Sequence, residues 1–63
     1  MELLKNLPLG SEFWLDEEVF GCMPGRYVLQ DFESEYKMRY ELVVNKFGHT
    51  LYLPDDSEVR VEA

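Results

Sequence analysis

The stretch Tyr36-Lys37-Met38-Arg39-Tyr40-Glu41-Leu42-Val43-Val44 decides the fold. Tyr36, Met38, Tyr40, Leu42 and Val44 fall on one parity, Lys37, Arg39 and Glu41 on the other. A period of two is the pattern of a β-strand with one buried face, so the apolar set is expected to face the core.

Outward from this strand, two hairpins are expected to share it. A second strand over Arg26–Glu33, connected through Ser34-Glu35 or through a four-residue loop Glu33–Tyr36, sets Tyr27 opposite Leu42 and Leu29 opposite Tyr40. Asp31 then falls opposite Met38, which places the hairpin tip in water. On the other side the turn Asn45-Lys46-Phe47-Gly48, with Gly48 supplying a positive φ, sets Val44 opposite His49, Leu42 opposite Leu51 and Tyr40 opposite Leu53. Both hairpins assign the same face of the shared strand to the core, and agreement between levels supports the assignment.

The remaining chain reads as shorter pieces. Met1–Gly10 carries Leu3, Leu4, Leu7 and Leu9 around Pro8, too interrupted for a stable helix, and is expected to form an arm with one helical turn. Residues 11–63 form the domain. Ser11–Leu15 is its first strand, with Phe13 and Leu15 on one side and Trp14 on the other. Asp16–Gly25 is a long loop ending in a Met23-Pro24-Gly25-Arg26 turn. Pro54–Ser57 is a turn or a single 3₁₀ turn, followed by a last strand Glu58–Glu62 with Val59 and Val61 inward.

At ~3.3 Å per residue the shared strand spans roughly 30 Å, while a domain of this length has a radius of gyration near ~11 Å. Such a strand must coil around the molecule. Five short strands, a long loop after the first, two tight hairpins and a 3₁₀ turn before the last strand resemble an SH3-like small barrel over Ser11–Glu62. The resemblance implies an all-β, single five-stranded barrel. It carries no ligand preference, because no SH3 peptide-binding motif is evident.

Composition narrows the function classes. With 63 residues the chain is one small domain, burying only ~60% of its unfolded surface. It has one cysteine, Cys22, and one histidine, His49, so neither a disulfide within the chain nor a four-ligand zinc site can staple it. The core must come from the nine aromatic residues and from Leu, Val and Met. No basic leader precedes an apolar run, and no stretch approaches the ~18 apolar residues of a membrane span, so the expected location is the cytoplasm. Net charge is −7, from 13 acidic and 6 basic residues. Nucleic acid and anionic membrane both require clustered Lys and Arg, so neither is an expected partner, and a basic protein surface is.

No reaction is indicated. A nucleophile needs a base and an orienting group, and Cys22 and His49 fall at opposite ends of the expected fold. The acidic runs lack the spacing of a calcium loop. No cofactor is expected, and the chain reads as a non-enzyme.

Two sets of residues are left as candidate binding sites. The acidic set is Asp16, Glu17 and Glu18; Asp31, Glu33 and Glu35; Asp55, Asp56 and Glu58. Alternate carboxylates on a strand stand ~6.6 Å apart, about two axial rises of one nucleic-acid strand. Such a row imitates phosphates. The apolar set is Val28, Phe32, Val43 and Tyr52 on the outer face of the hairpins, with Trp14 and Phe47 as separate anchors. Cover of that face by Leu3, Leu4 and Leu7 of the arm is the alternative.

Small acidic chains without a catalytic site resemble the accessory proteins with which phages and mobile elements block host polymerases, nucleases or defence effectors. That resemblance implies an inhibitor in the host cytoplasm, a protein-binding module seated on a nucleic-acid-binding surface. A homo-oligomeric adaptor, as small as a homodimer built on the apolar face, is the alternative. A nucleic-acid-binding barrel is a third reading that the charge opposes.

Overall fold

The computed structural model describes residues 1–61. Its strands are β1 (Glu2–Leu3), β2 (Glu12–Leu15), β3 (Gly25–Glu35), β4 (Met38–Asn45), β5 (Thr50–Pro54) and β6 (Glu58–Val59), with one 3₁₀ turn at Leu4–Asn6. They form an antiparallel sheet in the order β2-β3-β4-β5 and a two-stranded sheet β1-β6. The chain is all-β, and the 3₁₀ turn lies near its start. At Pro54–Ser57 the chain makes a hydrogen-bonded turn instead, Ser57 N–H donating to the Pro54 carbonyl (3.1 Å).

The expected barrel is corrected: the sheets do not close on each other. On one side the two meet, because Trp14 and Arg60 exchange backbone hydrogen bonds of 2.7 and 3.0 Å. On the other side the turn after Pro54 carries the chain away from β5, leaving β5 at the edge of its sheet.

The buried face of β4 is also corrected. Val43 and Glu41 are fully buried, while Met38 is 56% exposed and Tyr36 lies in the turn. The reason is a register offset of an odd number of residues in each hairpin, three in the first and one in the second. The β3–β4 turn is Tyr36-Lys37, with Glu35 opposite Met38, and a bulge at Gln30 then brings Leu29 opposite Val43. The β4–β5 connection is the three-residue loop Lys46–Gly48, so Leu51 lies opposite Val43 and Leu53 opposite Glu41. A slip of one residue moves every side chain of a strand to its other face.

Core residues therefore converge on Val43. Leu29 and Leu51 flank it across the ladders, and Phe13 stacks on Tyr27 with ring centroids 5.7 Å apart. Leu4, Leu15, Cys22, Leu53 and Val59 complete the cluster, with Leu7, Val19 and Leu51 packed against it. The N-terminal arm is thus part of the core layer and not a cover for the outer face: Leu4 N–H donates to the Ser57 carbonyl and Lys5 N–H to the Asp55 carbonyl, both at 2.9 Å. Val61, expected inward, is exposed. Glu62, assigned from sequence to the last strand, lies outside the described residues.

Choosing this face buries a carboxylate. Arg39 Nε closes on Glu41 Oε1, and its guanidinium lies 4.0 Å from the centroid of the Phe32 ring. The contact is an ion pair without hydrogen-bond alignment, and Glu41 Oε2 has no polar partner among the described residues. Such a pair contributes little net stability, yet removing one member leaves a buried charge uncompensated. The pair ties the hairpin arm to the core.

The long loop contains a second tight turn, not at Met23–Arg26 but at Val19–Cys22, whose two ends exchange backbone hydrogen bonds of 3.0 and 2.8 Å. Phe20 and Gly21 at its centre both have positive φ, as do Tyr36 and Lys37 in the β3–β4 turn. Two positive φ angles define a type I′ turn, which suits the right-handed strand twist but favours Asn-Gly. Bulky residues there are strained.

Two stability outcomes test this account. Arg39→Ala is expected to lower unfolding stability by about 3 kcal/mol, the low end for breaking a buried pair, because the Arg39 side chain is 34% exposed. The double change Arg39→Met with Glu41→Leu should recover most of that loss in urea melts. Replacing Tyr36-Lys37 by Asn-Gly should raise stability by about 1 kcal/mol by relieving the turn; an unchanged or lower melting midpoint rejects the strain.

Candidate functional site

The outer face of the four-stranded sheet joins apolar and acidic residues in register. Across β3, β4 and β5 its rows run Asp31–Leu42–Tyr52, Glu33–Tyr40–Pro54 and Glu35–Met38. Strands stand ~4.8 Å apart and alternate residues ~6.6 Å apart, so three carboxylates form a column beside an apolar column. Leu42, Tyr40 and Pro54 are half-buried, and Met38 and Tyr52 are exposed. Asp55 and Asp56 follow Pro54 and give the apolar strip a second acidic edge.

Local structure explains why this face keeps its shape. Beyond the bulge, β3 is exposed on both faces from Gln30 to Glu35, so the hairpin arm projects past the core. Asp31 Oδ1 accepts a hydrogen bond from Phe32 N–H (2.8 Å). The Tyr40 hydroxyl donates to Met38 Sδ at 3.6 Å, aligning the two side chains along the strip. A groove of about 540 Å³ opens at this end, lined by Phe20, Met38, Tyr40, Tyr52 and Pro54, with Lys37 and Asp55 on its rim.

The acidic residues named from the sequence separate into groups. Asp31, Glu33, Glu35, Asp55 and Asp56 border the apolar strip. Asp16, Glu17 and Glu18 follow β2 at the other end of the sheet, where Asp16 Oδ1 pairs with Arg60 Nε (2.9 Å). Glu58 is exposed on β6, in the other sheet.

The apolar candidates divide too. Tyr52 is exposed and belongs to the strip, and half-buried Val28 continues it toward the far end through its pair with Val44. Val43 is corrected: it is the centre of the core and reaches no partner. Phe32 lies on the face of Glu41, under the Arg39 guanidinium, and not on the outer face. Trp14 is half-buried with the Arg60 guanidinium 5.6 Å from its ring centroid. Phe47 is exposed in its turn, pinned by Asn45 Oδ1, which accepts from the Phe47 and His49 N–H groups at 2.9 and 3.0 Å.

Met38, Tyr40 and Leu42 are missed from the sequence because their parity goes to the core, and Pro54 because it reads as the start of a turn rather than the end of β5. The signal lay in the opposite parity, where Arg39 and Glu41 can neutralise each other and be buried as a pair. Phe20 was missed for a different reason: a Phe-Gly type I′ turn has no strong sequence mark.

No three His, Cys, Asp or Glu side chains gather to hold a metal ion among the described residues. Among them, no helix is long and apolar enough to cross a membrane. Cys22 is buried, and burial pushes its thiol pKa up. Tyr27, whose hydroxyl donates to the Met23 carbonyl (2.7 Å), is likewise raised by burial and by neighbouring Cys22. Neither is poised as an anionic nucleophile at neutral pH.

Comparison with known protein families, curated proteins and solved structures finds no match to this chain. Its reading rests on its own geometry.

The two raised pKa values set the direction of an alkaline transition. The folded state binds these protons more tightly than the unfolded state, so their stabilisation is complete below the unfolded thiol pKa and is lost as pH rises through the folded one. Urea midpoints are expected to hold steady from about pH 7 to 8.5 and to fall from about pH 9 upward. In Cys22→Val the fall should begin later, above about pH 10, where Tyr27 titrates. An identical onset in that variant removes Cys22 as the cause.

Proposed function

We propose that this chain is a non-enzymatic, acidic protein-binding module that seats the outer face of its sheet on a basic surface of a larger protein. The observation that carries this reading is the register Asp31–Leu42, Glu33–Tyr40, Glu35–Met38, which lays a column of carboxylates along an apolar strip. Each column supplies a different part of binding. The carboxylates, within a net charge of −7, draw in a positively charged surface and orient it, raising the association rate more than the affinity. The strip, with Tyr40 and Tyr52 as aromatic anchors, supplies the apolar contact that slows release.

The class of partner follows from the same spacing. Protein surfaces with Lys and Arg at intervals that match phosphates are those that bind nucleic acid, and the Asp31–Glu33–Glu35 column presents carboxylates at about such intervals. Occupying such a surface would make the chain an inhibitor by imitation of nucleic acid, of the kind phages and mobile elements use in a host cytoplasm. Direct nucleic-acid binding is not part of this reading, because the chain carries a net charge of −7 and the groove is lined by only two cations, Lys37 and Arg39, beside Asp55 and Asp56.

The test is affinity capture on the immobilised chain, followed by measurement of the captured partner. Binding should weaken steeply with salt, and replacing Asp31, Glu33 and Glu35 by Asn, Gln and Gln should weaken it by about tenfold or more. Neutralising Asp16, Glu17 and Glu18 should change it by less than about threefold. Tyr40→Ser should accelerate dissociation at any salt concentration. A partner that binds both triple variants equally, or whose contact surface is acidic, overturns the reading.

A further inference from the structure

We propose that the open edge of β5 is a self-association seam, on which a second copy of this chain pairs antiparallel about Tyr52. Three observations support it. First, β5 is the terminal strand of its sheet. Asn45 N–H donates to the His49 carbonyl (3.1 Å), so the alternation of an antiparallel ladder makes Val43↔Leu51 and Glu41↔Leu53 the bonded pairs. The N–H and C=O groups of Thr50 and Tyr52 then point away from β4, and nothing among the described residues pairs with them.

Second, the edge lacks the usual protection. Thr50-Leu51-Tyr52-Leu53-Pro54 contains no charged residue, whereas protected edges carry inward charges, lysines or bulges. Pro54 stops pairing only at the far end. Tyr52 itself is 53% exposed.

Third, the two ends of β5 are opposite in charge, which selects a second copy over another strand. The turn before β5 carries Lys46, and the turn after it carries Asp55 and Asp56. Lys46 and Asp56 are exposed and take part in no ion pair among the described residues. A two-fold axis at Tyr52 sets Thr50 opposite Pro54 of the second copy and brings each Lys46 turn to the other copy's Asp55–Asp56 corner. Such an interface is self-complementary. It joins two four-stranded sheets edge to edge, with both outer faces on a continuous surface, and does not depend on the proposed partner. The charge of −7 on each copy opposes approach, so association sets in at high concentration.

Sedimentation equilibrium from about 10 µM to about 1 mM, with amide exchange at both ends of that range, tests it. Weight-average mass should rise from 7.5 kDa toward twice that value, and the Thr50 and Tyr52 amides should gain protection with concentration. Lys46→Asp and Asp56→Lys should each raise the dimer Kd about five- to tenfold, two exposed pairs being lost per dimer. The double variant should return to within about twofold of the parent. A chain that stays monomeric to 1 mM, a mass increase without protection at Thr50 and Tyr52, or a double variant as weak as the singles overturns the seam.

Discussion

Side chains alternate along a β-strand, so one extra residue in a neighbouring strand exchanges the strand's two faces. In this chain the extra residue is Gln30, and everything on both surfaces of β4 depends on it. The three-residue loop Lys46–Gly48 supplies the matching offset on the other side, with Gly48 at φ 82°. The two offsets place Leu29, Val43 and Leu51 in one row and send Met38, Tyr40, Leu42 and Val44 outward.

That choice shapes both layers. Inside, it buries Glu41 and requires Arg39 to accompany it, with Phe32 beneath the guanidinium. An apolar strand face would have made a simpler core, but Tyr40 and Leu42 are held on the other side by the ladder. Outside, it concentrates apolar groups on the outer sheet face, where Met38 and Tyr52 are exposed, and sets them beside Asp31, Glu33 and Glu35. A small domain rarely leaves such a strip uncovered without using it. The buried ion pair and the exposed strip have the same origin.

The turns reinforce this division between stability and display. Phe20 and Tyr36 occupy positive-φ positions that Asn or Gly would fill with less strain, and both rings are exposed, Tyr36 by 90%. In a chain of 63 residues, whose net stability is a small difference between large terms, strain at two turns is a measurable fraction of the whole. The long arm of β3, exposed from Gln30 to Glu35, adds to it. Binding surface and stability compete for the same residues.

Much of the architecture was determined by local sequence. The alternation over Tyr36–Val44, the flanking strands and the turn at Asn45–Gly48 all follow from period, turn chemistry and composition. Two hairpins that agreed on the wrong face were both displaced by an odd number of residues, Leu29 pairing with Val43 instead of Tyr40 and Leu51 with Val43 instead of Leu42, so their agreement did not test the face. Only the tertiary structure decided which face is inside. A strand in which one parity is Met38, Tyr40, Leu42 and Val44 and the other is Arg39, Glu41 and Val43 can be buried either way once Arg39 and Glu41 neutralise each other. The choice then lies with a bulge and a loop length, which carry almost no local signal and are selected by how well Phe13, Leu29, Leu51 and Leu53 pack together.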